Sequence, residues 1–283
     1  MPSATVPLIF VDGHHLLYRA HFGFPKGFHS LDGTDVTGAF GFVALLRKAH
    51  REHCTGHEVL VVFDAEGGAA DRAQTDGGYK ANRAAADPSP IQALAPLKEM
   101  LDQGGVRWLE RPGAEGDDVL TTIATRTAAD GRAVVVLSGD RDFYSLLSAD
   151  GVRILNLQAP PGRQFVTARS LPDRYGMTPA QWADFRSLTG DPSDNLAGVG
   201  GVGPVTAARL LAGGRRLEHL PATAPGRLAE PLGLIREPWG DVLRERSLLR
   251  LNCGLPIPQG IVAGAVTPEL TPAAVLMKAA GLW

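Results

Sequence analysis

A chain of 283 residues, 44% hydrophobic and 20% charged, has the composition of a folded globular protein with a sizeable core, in one domain or two closely joined ones. The formal net charge of −2 excludes a uniformly basic nucleic-acid coat. Two cysteines, Cys54 and Cys253, exclude a disulfide scaffold and a thiolate zinc site, and no apolar run approaches the length of a membrane span.

The opening MPSATVPLIFVDG has no basic stretch ahead of its apolar run and no small-residue cleavage site. It therefore reads as a first strand and not a signal peptide, and a cytoplasmic protein with free thiols is expected. Strands are predicted at 6–11, 58–63, 106–110, 133–138 and 152–157. They are mostly short, β-branched and unalternating, the pattern of strands buried on both faces of a parallel sheet. Helical periodicity at 37–53, 91–103 and 115–129 falls between them, so the class is α/β. Residues 65–90 are rich in Gly, Ala and charge and carry no apolar stripe, which marks a functional or disordered segment. From about residue 167 short helical patterns take over, and the last helix is expected to dock through Leu276, Met277 and Trp283.

Ligands of open α/β sheets collect beyond the carboxyl ends of the strands. Asp12 follows the first strand and Asp64 the second. Asp140 and Asp142 follow VVVLSG, while Glu115, Asp117 and Asp118 open a helix just after another strand. Each could singly be a helix cap, a first-turn acid or a turn residue. Jointly they have no structural reason to recur at every strand end, and clustered carboxylates repel unless cations lie among them. An all-oxygen donor set points to Mg²⁺ or Mn²⁺ and suits hydrolysis of a phosphodiester by two or more ions. The histidines are scattered, and His14 and His15 read as loop or helix-start residues without a ligand role. Asp191 and Asp194 lie just ahead of GVGGVGPVTAARLL, whose glycines let backbone approach a phosphate and whose helix opens near Pro204.

The motifs FVDGHHLLYRAHF, VVFDAEG, YKANR, GAEGDDVL, SGDRDF, GDPSDNLAGVGGVG and TAARLL occur in the order found in bacterial 5′ nucleases and flap endonucleases, and from Leu8 to Leu211 the chain resembles that family. The resemblance implies a PIN-like (resolvase-like) core with a mostly parallel sheet over residues 1–176, its arch at about 65–90. A helical DNA-binding region over 177–283 follows, with a helix–hairpin–helix of the helix–three-turn–helix type at about 193–212. It implies nine metal-site carboxylates: Asp12, Asp64, Glu115, Asp117, Asp118, Asp140, Asp142, Asp191 and Asp194. Setting these nine aside turns the balance of −2 into +7, so the remaining surface is basic. Lys80 and Arg83 resemble the family's catalytic basic pair at the scissile phosphate, and Tyr79 its stacking residue. Arg19 and Arg72 resemble further substrate contacts. In the hairpin, Gly198, Gly200, Gly201, Gly203 and Thr206 are implied to grip duplex DNA, with K⁺ on the loop carbonyls.

The implied activity is a metal-dependent 5′-3′ exonuclease or flap endonuclease of DNA replication and repair. It would act as a monomer on 5′ ends, flaps, nicks and RNA-primed ends, without a membrane partner. Where the family commonly has Pro and Lys, this chain has Gly200 and Val205, which removes one phosphate contact. Gly77 stands where the family often has Pro, which loosens the arch. No polymerase region follows, so a stand-alone enzyme is expected. A PIN-type ribonuclease is disfavoured by residues 177–212, and a non-catalytic structure-specific DNA-binding protein by the complete set of acidic positions. A nucleotide switch is disfavoured by the lack of a P-loop or a G-x-G-x-x-G after a strand.

Overall fold

Leu8–Asp12, the apolar run before the first aspartate, forms β1 with every residue buried. In the computed structural model, which describes residues 5–81, 87–223 and 226–283, β1 lies at the centre of a six-stranded sheet. The other strands are β2 (Glu58–Phe63), β3 (Arg107–Glu110), β4 (Val134–Leu137), β5 (Val152–Leu155) and β6 (Phe165–Val166). The order is β3-β2-β1-β4-β5-β6, parallel throughout except for β6, which pairs antiparallel with β5. The mostly parallel sheet expected from the unalternating runs is present, and the two-residue edge strand β6 is an addition to it. The direction in which connections run reverses between β1 and β4, and such a switch point opens a crevice at the carboxyl edge.

The period of two divides β1 between two cores. Ile9 and Val11 face a cluster with α1 (Gly13–Gly23), α2 (Thr37–His53) and, further along the chain, α5 (Leu94–Gln103) and α12 (Ala273–Ala279). Between α2 and α5 lie α3 (Ala70–Thr75), inside the stretch without an apolar stripe, and α4 (Ser89–Gln92). The single helix predicted over 91–103 is thus broken at Ala93. Pro96 has no N–H for the carbonyl of Gln92 and its ring crowds that carbonyl, so the two pieces cannot join.

Leu8 and Phe10 face the opposite cluster, with α6 (Gly116–Ala129) and the helical region. That region comprises α7 (Ser170–Tyr175), α8 (Trp182–Thr189), α9 (Pro204–Leu210), α10 (Ala229–Arg236) and α11 (Trp239–Leu249). Trp182, Leu188, Ala207, Leu232 and Val242 belong to the same continuous core as Leu8 and Phe10, so the helical half is built onto the sheet and does not hang from a linker. As expected, α12 docks through the buried Leu276 and Met277, while the Trp283 ring stays partly exposed against Phe40.

Between α11 and α12 the chain is irregular, and its backbone is satisfied by side chains of the sheet layer. Arg126 donates to the carbonyls of Leu255 and Ile257, and the Glu58 carboxylate accepts the amides of Ala263 and Gly264. Among the described residues no helix is long and apolar enough to cross a membrane.

Candidate metal and nucleic-acid site

Asp12 is both the last residue of β1 and the N-cap of α1, accepting the His15 amide at 3.1 Å. The turn is tight enough that a Cβ on Gly13 would stand 2.4 Å from the Phe63 ring and 2.7 Å from the Val62 carbonyl, so only glycine fits. Ser138, at the end of β4, donates to the other Asp12 oxygen at 2.7 Å and receives the Asp140 amide at 2.9 Å, tying two adjacent strand ends together. Asp64, after β2, accepts the Gly116 amide at 2.6 Å and so fixes the start of α6, on whose first turn Asp117 sits.

Asp12, Asp64, Asp117 and Asp140 thereby line one cleft of about 390 Å³, together with Tyr18 and Lys80. His14 and His15 also border it, but each spends a ring nitrogen on backbone. Nδ1 of His14 accepts the Asp64 amide and Nε2 of His15 the Gly139 amide, both at 3.0 Å. Their role is to hold strand ends.

Asp142, Asp191 and Asp194 form a second group, with one oxygen from each within 4.8 Å of the others. Asp191 caps the short turn Pro192–Asp194 and accepts both the amide and the hydroxyl of Ser193. Between Asp142 and Asp191 stands Arg186, from α8. Its Nη2 pairs with Asp191, and its Nε lies 3.6 Å from Asp142. The chain order hides this residue, whose one signal is being a basic side chain on the apolar face of WADFRSLT.

Glu115 and Asp118 are paired with basic side chains of the arch. Arg72 pairs with Glu115 through Nη1 and with Asp118 through Nη2 at 2.8 Å, and Lys80 Nζ meets Glu115 at 2.5 Å. Of the nine acidic positions, four line the cleft, three form the second group and two are paired with the arch. The second group joins the first where the Asp142 amide donates to Asp140.

Burial and the charges of neighbouring carboxylates raise the pKa of three of these acids. Burial, then the charges of Asp12, Asp64 and Asp140, raise the Asp117 carboxyl well above the usual range. Burial and Asp140 raise Asp12 against the lowering effect of His15 and Ser138. Burial and then Asp140 push Asp142 up to about 7, with Arg186 only partly offsetting them. One Asp142 oxygen is enclosed without a hydrogen-bond donor. An all-carboxylate set, acids whose pKa is raised by burial and by one another, and an enclosed oxygen lacking a donor all fit hard divalent cations such as Mg²⁺ or Mn²⁺.

The remaining expected residues are spread around this edge. Arg19 donates to the Leu157 carbonyl at 3.5 Å and lines a neighbouring cleft of about 470 Å³ with Tyr18, Phe22 and Gln158. Tyr79, expected as a stacking residue, is 6% exposed and packs against Leu196, Leu248 and Leu249, so in this conformation its face is not offered to a base. Arg83 lies outside the described residues.

In the hairpin, Val199 and Val202 are buried as anchors while Gly200, Gly201, Gly203 and Val205 form the exposed rim, with Thr206 half-buried behind it. Gly198 has φ +67° and would place a Cβ 2.3 Å from the Gly190 amide, so this crossing too admits only glycine. Its amide donates at 3.0 Å to Glu245 of α11, a buried carboxylate 47 residues away that no local pattern reveals.

Comparison with known proteins agrees with this architecture. Residues 7–176 match the family model for the 5′-3′ exonuclease N-terminal resolvase-like domain, and residues 177–269 that for the 5′-3′ exonuclease C-terminal SAM fold. Thermostable DNA polymerase I of Thermus aquaticus is 43% identical over 213 residues, covering 75% of this chain and 24% of that protein. DNA polymerase I of Mycobacterium bovis is 32% identical over 257 residues, covering 90% of this chain and 28% of that one. The chain thus spans about a quarter of the length of the curated relatives it matches. Among solved structures, the T5 5′-exonuclease with divalent metal ions (zinc) bound shares the fold at a TM-score of 0.68 and 20% identity, covering 97% of this chain and 98% of that one. The catalytic core of Rad2 in complex with DNA substrate does so at 0.63 and 15%, covering 99% and 89%. With both halves matched by their own models, the chain belongs to the 5′-3′ exonuclease family.

Proposed function

We propose that this chain is a structure-specific 5′ nuclease that hydrolyses DNA phosphodiesters at or near 5′ ends and flaps, in replication and repair. One observation carries the reading: Asp12, Asp64, Asp117 and Asp140 converge on a single cleft at the switch point of the sheet, with a lysine from the arch reaching into it. These four would hold one divalent cation, Mg²⁺ or Mn²⁺, with Glu115 and Asp118 completing the acidic set once their arch partners turn to the phosphate, and Asp142, Asp191 and Asp194 would hold a second. Bound there, such ions supply an activated water and stabilise both the attacking and the leaving oxygen of an in-line displacement.

The residues of the chain do the rest. Lys80 stands where negative charge would build on the scissile phosphate, and its ammonium, now on Glu115, is free to exchange that partner for the phosphate. Arg72 is placed for the same exchange from Glu115 and Asp118, and Arg19 and Arg83 would extend the phosphate track. Tyr79 would stack on a base only after leaving its present pocket. The exposed rim formed by Gly200, Gly201 and Gly203, with Gly198 and Thr206 behind it, would meet the duplex through main chain, with K⁺ on its carbonyls. RNA-primed 5′ ends fit the same backbone-directed contacts, and the enzyme would act as a cytoplasmic monomer.

The test is cleavage of a 5′-labelled flap, a nicked duplex and the matching single strand, with Mg²⁺, with Mn²⁺ and with chelator. Metal-dependent release of short 5′ products from the flap and nick in preference to the single strand is expected. Tight duplex binding without cleavage under any metal would replace this reading by a non-catalytic binding protein.

A further inference from the structure

Among the described residues only two non-glycine positions have a left-handed backbone, Lys80 at φ +55° and Asn195 at φ +59°. They lie against each other across the junction of the two halves. The Asn195 side-chain amide donates to the Gly78 carbonyl at 2.8 Å, and the Lys80 main-chain amide donates to the Asp194 carbonyl at 3.0 Å. Tyr79, between these two arch positions, is buried on Leu196, the neighbour of Asn195. On the other side Asp76 receives Arg244 of α11 at 3.0 Å. The base of the arch is therefore fastened to the turn carrying Asp191 and Asp194, two residues of the second acidic group.

The direction of Lys80 depends on this fastening. A lysine is disfavoured in the left-handed region, and such a residue persists only where its surroundings over-determine it. Here that backbone turn sends the side chain back over the Tyr79 ring, with Nζ 4.9 Å from its centroid, and into the cleft, where Nζ meets Glu115 at 2.5 Å. Asparagine suits the facing position because it tolerates the left-handed conformation and still offers a side-chain donor.

The geometry points to Asn195 as the positioning residue for Lys80: by holding Gly78 it fixes the arch base so that the Lys80 ammonium enters the acidic cleft. This rests on the reading of Lys80 as the group that meets the scissile phosphate. Asn195 touches neither substrate nor the reacting atoms and acts through the arch backbone.

Two variants separate the parts of the contact. Asn195→Gly keeps the left-handed conformation and loses the amide; Asn195→Ala loses both. In single-turnover cleavage of a 5′ flap at saturating enzyme, Asn195→Ala is expected to be slower by about tenfold, the equivalent of about 1.4 kcal/mol in the barrier. Asn195→Gly should fall between it and the wild type, with the dissociation constant for the flap changed less than the rate. The decisive measurement is the pair with Lys80→Ala. If Asn195 acts through Lys80, adding Asn195→Ala to Lys80→Ala costs nothing further, because residues that act as a unit are non-additive. A full second tenfold loss in that background overturns the proposal.

An independent readout is trypsin nicking of the intact protein after Lys80. Loosening the arch base should speed it in both Asn195 variants, by roughly tenfold for Ala, while the melting temperature stays close to wild type. Unchanged nicking in both variants overturns the proposal even if activity falls. Should Lys80→Ala cleave at the wild-type rate, the assignment of Lys80 fails by itself, and nicking alone then decides whether Asn195 holds the arch.

Discussion

The two acidic groups solve the same electrostatic problem differently. Asp12, Asp64, Asp117 and Asp140 come from the sheet edge and the first turn of α6, and three of them are gripped by short-range bonds from Ser138, His15 and the amides of Gly116 and Asp142. Among the described residues, Lys80 is the cation lining their cleft, and it belongs to the arch. Asp142, Asp191 and Asp194 are drawn from both halves of the molecule and carry Arg186 between them. A group with a built-in counter-charge keeps its shape without an ion. One without it depends more on ions for charge balance; carboxyls rise in both groups, but in the second Arg186 offsets part of the rise at Asp142. The first group is thus the more demanding of metal, and the second the more tolerant.

The widest separation should come from neutralising one ligand in each group. Asp140→Asn is expected to lower flap cleavage by about 10³-fold or more, on the scale of losing a main charge-stabilising element, with DNA binding kept or tightened. Asp191→Asn should cost less at high Mn²⁺. Equal losses at all metal concentrations would erase the distinction.

Lys80→Ala tests the cation of the first group. A loss of about 10² in single-turnover rate at saturating enzyme is expected, with a modest change in dissociation constant. A defect that vanishes on saturation would make Lys80 a binding residue only.

Arg186→Gln removes the cation of the second group. Without metal at pH 8, breaking so enclosed a pair should lower stability by roughly 3 kcal/mol, read by denaturant melts. The Asp142 carboxyl, at about 7, lies above its ordinary value of 3.8, so the folded state favours the proton. Its contribution is intact below about pH 4 and is lost as pH rises toward about 7. The melting temperature of metal-free protein should accordingly fall across that window, and added Mn²⁺ should restore more at pH 8 than at pH 5. A metal-induced gain that does not depend on pH would contradict the picture of mutually repelling acids.

The smallest effects belong to the hairpin. Gly203 has ordinary backbone angles and open space around it, so Gly203→Asp adds a negative charge to the rim without strain. Gly201, at φ +81°, would mix strain with charge. Anisotropy titrations of nicked duplex should show weaker binding for Gly203→Asp. Val205→Lys, at a position 65% exposed, should steepen the salt dependence by about one unit or less. Wild-type binding by Gly203→Asp would place the duplex elsewhere.

Much of this molecule is determined by sequence alone, because the determinants are local. Runs such as LIFV and EVLVVF are short, branched and unalternating, and they become strands buried on both faces. An aspartate directly after such a run must stand at the carboxyl edge, so the gathering of Asp12, Asp64 and Asp140 follows from topology. What tertiary structure decided are pairings between residues far apart in the chain. Arg186 between Asp142 and Asp191, Arg72 on Glu115 and Asp118, Glu245 on the hairpin amide and Asn195 on the arch have no local signature. The inward turn of Tyr79 is of the same kind: an aromatic ring in a charged segment suits solvent or ligand equally, until Leu196, Leu248 and Leu249 arrive from elsewhere to bury it. Periodicity reports which face of an element is apolar. Only the packing of both halves around one core determines which distant partner a charge or ring on that face will meet.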